Sequence, residues 1–310
     1  MSITWRKFNA LGTEIILSAA LSSDQAVLLD TAEEKIKIFE NSFSRFIKGN
    51  ELDNFNRSTD KEIEVSEDMF VMLVEAKKWY DFSQGIFDPT IIDNLEKLGY
   101  DRSFTELTNN DSKIDLEKIK QDFLQRPKLD QLIISGNKVS KPAALRLDFG
   151  GFGKGYIVDL IAKDIFSNVA NYWISAGGDL LAAGNQDNQV GWRIGVQNPY
   201  EPNKEIFSLN TKGIKLGVAT SGVWQRQGIK DNKSWNHIID PRSGISVEND
   251  ILAVTALADS ATKADILAKI VLILGETAGL EFISKQANTA ALIFLKNGAI
   301  VFSSEAKKYL

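Results

Sequence analysis

The only imidazole in 310 residues is His237. It lies in the segment Trp235-Asn236-His237-Ile238-Ile239-Asp240-Pro241-Arg242-Ser243-Gly244. Histidine is the side chain best suited to take a proton near neutral pH, although a single histidine is more often a surface or satisfied residue. Asp240-Pro241 followed by Ser243-Gly244 is turn chemistry, which would fix the chain just after the imidazole. A serine-protease triad would need this same histidine, and no Gly-x-Ser-x-Gly elbow accompanies it.

A second candidate is Leu147-Asp148-Phe149-Gly150-Gly151-Phe152-Gly153-Lys154-Gly155-Tyr156, an apolar run that ends in glycines and passes into a helical pattern. Glycines let backbone approach a ligand, and a helix N-terminus favours anions such as a pyrophosphate. Two familiar phosphate motifs fail here. Lys154 is followed by Gly155 where a P-loop needs Ser or Thr, and Tyr156 stands where a Rossmann fingerprint needs glycine. The segment reads either as a tight strand-to-helix turn or as a phosphate site. Three further segments are candidates with ordinary structural readings beside them. Ile174-Ser175-Ala176-Gly177-Gly178-Asp179-Leu180 is a crowded turn before an acid. Gly85-Ile86-Phe87-Asp88-Pro89-Thr90 starts a turn or caps a helix. Asp259-Ser260-Ala261-Thr262-Lys263-Ala264-Asp265 runs into a helix on which Asp265 and Lys269 share a face as an i,i+4 ion pair.

The elements that must position these residues follow from periodicity. Strands are expected at 13–20, 131–135, 144–149, 171–175, 192–197, 206–210, 214–219 and 251–258. Helices are expected at 24–41, 67–82, 115–124, 154–167 and 260–274, and a final helix and two strands close the chain. Val27, Leu28, Thr31, Ile36 and Phe39 are the expected apolar face of the first helix. The polar stretch 101–128 reads as a surface insertion, and 228–236 as a loop that delivers His237. Helices and strands interleave without a strict βαβ repeat, so the class is α+β with a mixed sheet, and the length suits one large domain or two intimately packed ones.

Composition bounds the function. Forty-four per cent of residues are hydrophobic, ample for a large core, and the net charge is −5 with no basic stripe, which argues against nucleic acid. The absence of cysteine removes disulfides, thiolate metal sites and thiol nucleophiles. No apolar run reaches the roughly 18 residues of a membrane span. The opening Met1-Ser2-Ile3-Thr4-Trp5-Arg6-Lys7 lacks the apolar run of a signal peptide, and the expected location is the cytoplasm.

In order and spacing these segments resemble the ApbE family, the FAD:protein FMN transferases. The resemblance runs from Leu11-Gly12-Thr13 to Leu274-Gly275. It takes in Ser44-Arg45-Phe46, Glu51-Leu52, Phe55-Asn56, Phe87 to Thr90, Leu147 to Tyr156 and Ser175 to Leu180. It continues through Trp192 to Gly195, Asn198-Pro199, Ala219 to Gly222, His237 to Gly244 and the 259–275 helix. It implies an ApbE-like fold that binds FAD through Leu11, Phe46, Ile86, Phe87, Asp88, Asp148, Lys154 and Ile239. Phe46 takes the place of an aromatic that packs on flavin or adenine. Lys154 suits the pyrophosphate, Asp88 and Asp148 accept from FAD donors, and Leu11 replaces a methionine of similar volume.

The resemblance also implies a reaction. A Thr or Ser hydroxyl of an acceptor flavoprotein attacks the FMN-side phosphorus, AMP leaves, and His237 is the candidate base. The family's Mg²⁺ would be held by Asp265 and the Gly151 carbonyl, but its threonine ligand position is occupied by Lys269. A protonated ammonium has no lone pair to give a metal. Two unit charges at about 4 Å repel by roughly 4 kcal/mol at an effective dielectric of about 20, so metal binding is expected to be weak or absent. The same residues leave two alternatives: an FAD binder without transferase activity, and a pyrophosphatase that yields FMN and AMP.

Overall fold

The structure is a computed structural model that describes residues 2–100, 115–224, 227–230 and 233–310. The chain divides into two compact units. One comprises residues 1–40, 152–222 and 249–310; the other comprises 41–151 and 223–248. Strands and helices are numbered in chain order.

The first unit is built on an eight-stranded sheet. In chain order its strands are β1 (Ser2–Ala10), β2 (Thr13–Leu21), β6 (Tyr172–Ala176), β7 (Asp179–Ala183), β10 (Leu216–Gly222), β13 (Ile251–Ala258), β14 (Ala290–Leu295) and β15 (Ile300–Phe302), and they lie side by side in that same order. Each adjacent pair is antiparallel. Strands β8 (Arg193–Gln197) and β9 (Glu205–Asn210) pair as a separate hairpin. Helices α6 (Gly153–Asp164), α7 (Ala261–Leu274) and α8 (Glu276–Ser284) belong to this unit, as does most of α1 (Val27–Phe43). β14 is buried at every position, the mark of a strand covered on both faces. α7 buries 11 of its 14 residues, so it is an interior helix rather than an amphipathic one.

The second unit holds α2 (Glu51–Arg57), α3 (Glu67–Phe82), α4 (Ile92–Leu98) and α5 (Leu116–Gln125). It also holds a small sheet of β3 (Ile63–Glu64), β5 (Lys138–Ser140) and β4 (Ile133–Ser135), and the hairpin β11 (Gln227–Lys230) with β12 (Lys233–Asn236). Leu95, Leu98, Tyr100, Ile119, Trp235 and Ile239 form one of its apolar clusters.

The α+β class is what the interleaved helices and strands predict, and the strand pairs of the eight-stranded sheet are all antiparallel. Several details differ. The expected strand at 144–149 does not form, because its backbone is committed elsewhere. Asn56 brackets Leu147, donating to its carbonyl at 2.9 Å and accepting from its N–H at 2.7 Å, while the Asp148 N–H donates to the Pro89 carbonyl at 2.8 Å. The expected loop at 228–236 contains the β11–β12 hairpin, with Gly228 opposite Trp235. A Cβ at Gly228 would meet the Trp235 indole at 2.8 Å, so the glycine makes room for the ring. The buried stripe of α1 is Leu29, Ala32, Ile36, Phe39 and Phe43, at 3,4,3,4 spacing; Val27 of the expected face is exposed. Of the stretch 101–128, residues 101–114 lie outside the described residues. The remainder carries α5, which buries Ile119 and Phe123. Helices α2 and α4 and strands β1 and β7 have no counterpart in the periodicity reading.

Candidate active site

In the second unit, His237 follows β12 directly and is held from both sides by backbone anchors. The Asn236 N–H donates to Ser246 Oγ at 3.0 Å, the Ile238 N–H to Asn236 Oδ1 at 3.0 Å, and the Val247 N–H to the Ile238 carbonyl at 2.8 Å. The turn after it closes as its residues dictate. The Asp240 carbonyl accepts from the Ser243 and Gly244 N–H groups, and Gly244 takes a φ of 74°, the left-handed region glycine favours. The Gly244 carbonyl accepts from Asn94 at 2.6 Å, which ties the turn to α4. Ile239 is buried in the apolar cluster and bridges to Ser246.

The imidazole of the half-buried His237 meets the ring of Tyr100 edge-on, centroids 6.3 Å apart. Tyr100 also stacks on Trp235 at 6.3 Å and lies 5.9 Å from Phe46. The Arg45 guanidinium sits over both the Phe46 ring (4.3 Å) and the Tyr100 ring (4.6 Å) and donates to the Tyr100 carbonyl at 2.9 Å. Its Nε is 3.6 Å from Asp148 Oδ2. Asp148 Oδ1 accepts from the Gly150 N–H at 2.9 Å. Arg45, Phe46, Tyr100, Asp148, Trp235 and His237 are therefore one constellation: a cation, a carboxylate, stacked rings and an imidazole. Phe46 remains 40% exposed, so its ring has a face to offer.

The loop after α3 folds back on Ser83, whose Oγ accepts from the Phe87 N–H at 2.9 Å and whose carbonyl accepts from the Ile86 N–H at 3.2 Å. Ile86 is half-buried and Phe87 buried. A Cβ at Gly151 would come within 2.8 Å of the Phe87 ring, so a side chain there would displace it. Asp88 is buried. One of its oxygens accepts from the Thr90 N–H (2.8 Å) and hydroxyl (2.7 Å), and the other pairs with Arg126.

In the first unit, Leu11 and Gly12 form the two-residue turn between β1 and β2, both with positive φ (57° and 65°). For a leucine this costs roughly 1 kcal/mol, and the Leu11 N–H is tied to Glu40 at 2.6 Å. Lys154, on the first turn of α6, pairs with the buried Asp179 at the start of β7. Ser260 caps α7, accepting from the Lys263 N–H. Asp159 of α6 caps it from outside, accepting from the Ala261 (2.8 Å) and Thr262 (2.9 Å) N–H groups. Burial pushes the Asp159 carboxyl up, against those hydrogen bonds.

One turn into α7, Asp265 pairs with Lys269 through Oδ1. Asp265 Oδ2 is buried and has no hydrogen-bond partner among the described residues. This donor set meets Mg²⁺ halfway at best. An orphaned oxygen suits a cation, but the fourth residue on brings an ammonium, which offers no lone pair and repels a dication. Among the described residues no group of three or more His, Cys, Asp or Glu could hold a metal. The residues present do not fit Mg²⁺.

Tyr100, Arg126, Asp159 and Asp179 have no assigned role in the sequence reading. Asp179 had a signal in the acid that follows Gly177-Gly178; the others meet partners dozens of residues away, which periodicity does not register.

An antiparallel sheet with a buried helix and a glycine-rich entry to a lysine-bearing helix in one unit, and a histidine turn beside stacked aromatics in the other, define an α+β protein. Residues 11–294 match the model of the ApbE family, and the chain belongs to that family. It is 26% identical over 262 residues to a Vibrio cholerae protein named FAD:protein FMN transferase, covering 83% of this chain and 76% of that one. It is 24% identical over 291 residues to the protein of that name from Haemophilus influenzae, covering 90% and 82%. The fold matches the ApbE protein of Thermotoga maritima with a TM-score of 0.88 at 24% identity, covering 99% of each chain. It matches the flavin transferase ApbE of Vibrio cholerae at 0.82 and 24%, covering 100% of this chain and 99% of the other. No helix among the described residues is long and apolar enough to cross a membrane.

Proposed function

We propose that this chain is a transferase that moves the FMN half of FAD onto a Thr or Ser hydroxyl of an acceptor protein and releases AMP. The observation that carries the reading is the family match over residues 11–294, together with relatives named FAD:protein FMN transferase that align to more than four-fifths of the chain. The geometry of each unit is consistent with it. Phe46, braced by Arg45 and Tyr100, offers a ring face to a flat heterocycle. Ile86, Phe87, Asp88, Asp148 and Ile239 belong to the same unit, and Leu11 and Lys154 to the other.

In this reading the acceptor oxygen bonds to the FMN-side phosphorus as the bond from that phosphorus to the bridging oxygen breaks. The electron pair leaves on AMP, and His237 takes the hydroxyl proton. Lys154 faces the pyrophosphate with a positive charge that Asp179 orients. No step passes through a metal. The partners are FAD and the acceptor flavoprotein; a cytoplasmic location is part of the same proposal, and cell fractionation tests it. Incubation with FAD, with and without an acceptor modified by the Vibrio cholerae relative, tests the reaction by chromatography. AMP that appears only with acceptor supports transfer. AMP and free FMN without acceptor mean hydrolysis, and bound FAD with no AMP means a binder; either result rejects the proposal.

A further inference from the structure

The mismatch between the residues present and a divalent ion has a chemical consequence, provided that the transferase reading holds. We propose that Lys269 is a resident cation: its ammonium, fixed beside Asp265 on α7, supplies covalently the positive charge that the family resemblance assigns to Mg²⁺, and this chain transfers FMN without a divalent ion.

The pair is built in a place where folding alone gives no reason for it. Asp265 is 2% and Lys269 15% exposed at the side chain, on a helix otherwise made of Ala, Ile, Leu, Val and Thr apart from Lys263 in its first turn, which pairs with Asp259 outside the helix. Replacing a buried ion pair by apolar side chains of similar size is often neutral or stabilising, so such a pair is weak evidence of a stability role. A pair selected for stability would also satisfy its acceptors, yet Asp265 Oδ2 has no partner among the described residues. Helix geometry keeps the two groups together, because residues four apart are neighbours and 11 of the 14 helix residues are buried and cannot rotate out.

The chemistry of the ammonium points the same way. It carries three protons, and the described residues accept only one of them, at Asp265 Oδ1. The others can reach phosphate oxygens through the small exposed part of the side chain. Negative charge grows on the leaving oxygen of AMP as the phosphorus–oxygen bond breaks, and a fixed cation offsets it without having to be recruited. A metal at Asp265 would have to displace that ammonium or sit against it, and Asp265 cannot neutralise both.

Two measurements test this, and the first does not depend on catalysis. Calorimetric titration of MgCl₂ and of MnCl₂ into the protein, with and without FAD, is expected to show no saturable binding up to millimolar ion, while Lys269→Thr gains it. Saturable micromolar binding to the wild-type chain overturns the proposal. In the second, AMP release in excess EDTA is expected to stay within about twofold of the rate in Mg²⁺, whereas Lys269→Thr is expected to become strictly Mg²⁺-dependent. Loss of wild-type activity in EDTA overturns it. If Lys269→Thr does not fold, as its circular dichroism and melting would reveal, the two wild-type arms still decide. If the wild type releases no AMP under any condition, the transferase reading fails and the metal titration alone judges Lys269.

Discussion

At the scale of single residues, the anchors around His237 decide what its removal would report. Its neighbours Asn236 and Ile238 are tied to Ser246 and Val247 by hydrogen bonds that do not use the imidazole. His237→Ala is therefore expected to leave FAD affinity within a few-fold and to lower FMN transfer by about 10²–10⁴, the usual cost of losing a general base. Near wild-type transfer by that variant would make His237 a loop residue. Arg45 lies over two rings and beside a carboxylate. Arg45→Lys keeps the charge and loses the planar stack. Stacking worth about 0.5–2 kcal/mol corresponds to roughly 2- to 30-fold weaker FAD binding, which calorimetric titration can measure; unchanged affinity would mean that Phe46 needs no brace. The single histidine, Phe46 and Asp148 were readable as candidates because of their types and motifs. Tyr100 was not, since its importance comes from meeting Trp235 and His237 across more than 130 residues of chain.

At the scale of elements, α7 shows what a pattern can and cannot tell. Its length and the Asp265–Lys269 spacing follow from local rules, and the cap that Asp259 or Ser260 could supply by type falls to Ser260. Its second cap, Asp159, sits on another helix and had no signal. Truncation of that carboxylate leaves two N–H groups of α7 unpaired, so Asp159→Ala is expected to destabilise the protein by about 2 kcal/mol in urea denaturation. Burial raises the Asp159 pKa. The folded state then binds more protons than the unfolded state over the interval above the ordinary aspartate value of about 3.9. Its contribution to stability is full below that value and is lost as pH rises through the raised pKa. The stability advantage of the wild type over Asp159→Asn should accordingly narrow as pH rises from about 4; an advantage that widens would contradict the assignment. Elsewhere, β1 escaped detection because an edge strand with Trp5 exposed carries little apolar alternation. The β11–β12 hairpin was hidden by its polar composition.

At the scale of the whole molecule, the α+β class was legible from the interleaved pattern, and the family from the order of its motifs. The partners that fix each site residue, such as Asp179 for Lys154 and Arg126 for Asp88, were not, because sequence periodicity reports faces and not distant pairs. If the segments at 46, 86–88, 148–154 and 237–244 together bind a dinucleotide, FAD should bind more tightly than FMN. Calorimetry that gives FMN equal or greater affinity would show that the adenylate half is not recognised. The central claim, transfer of FMN to protein, is tested most directly by the intact mass of an acceptor. An acceptor flavoprotein that the Vibrio cholerae relative modifies should be incubated with this chain and FAD. The predicted result is a mass gain of one FMN unit on the acceptor, matched by one AMP released and abolished when the target Thr is replaced by Ala. An unmodified acceptor, in conditions where the relative modifies it fully, would contradict the account.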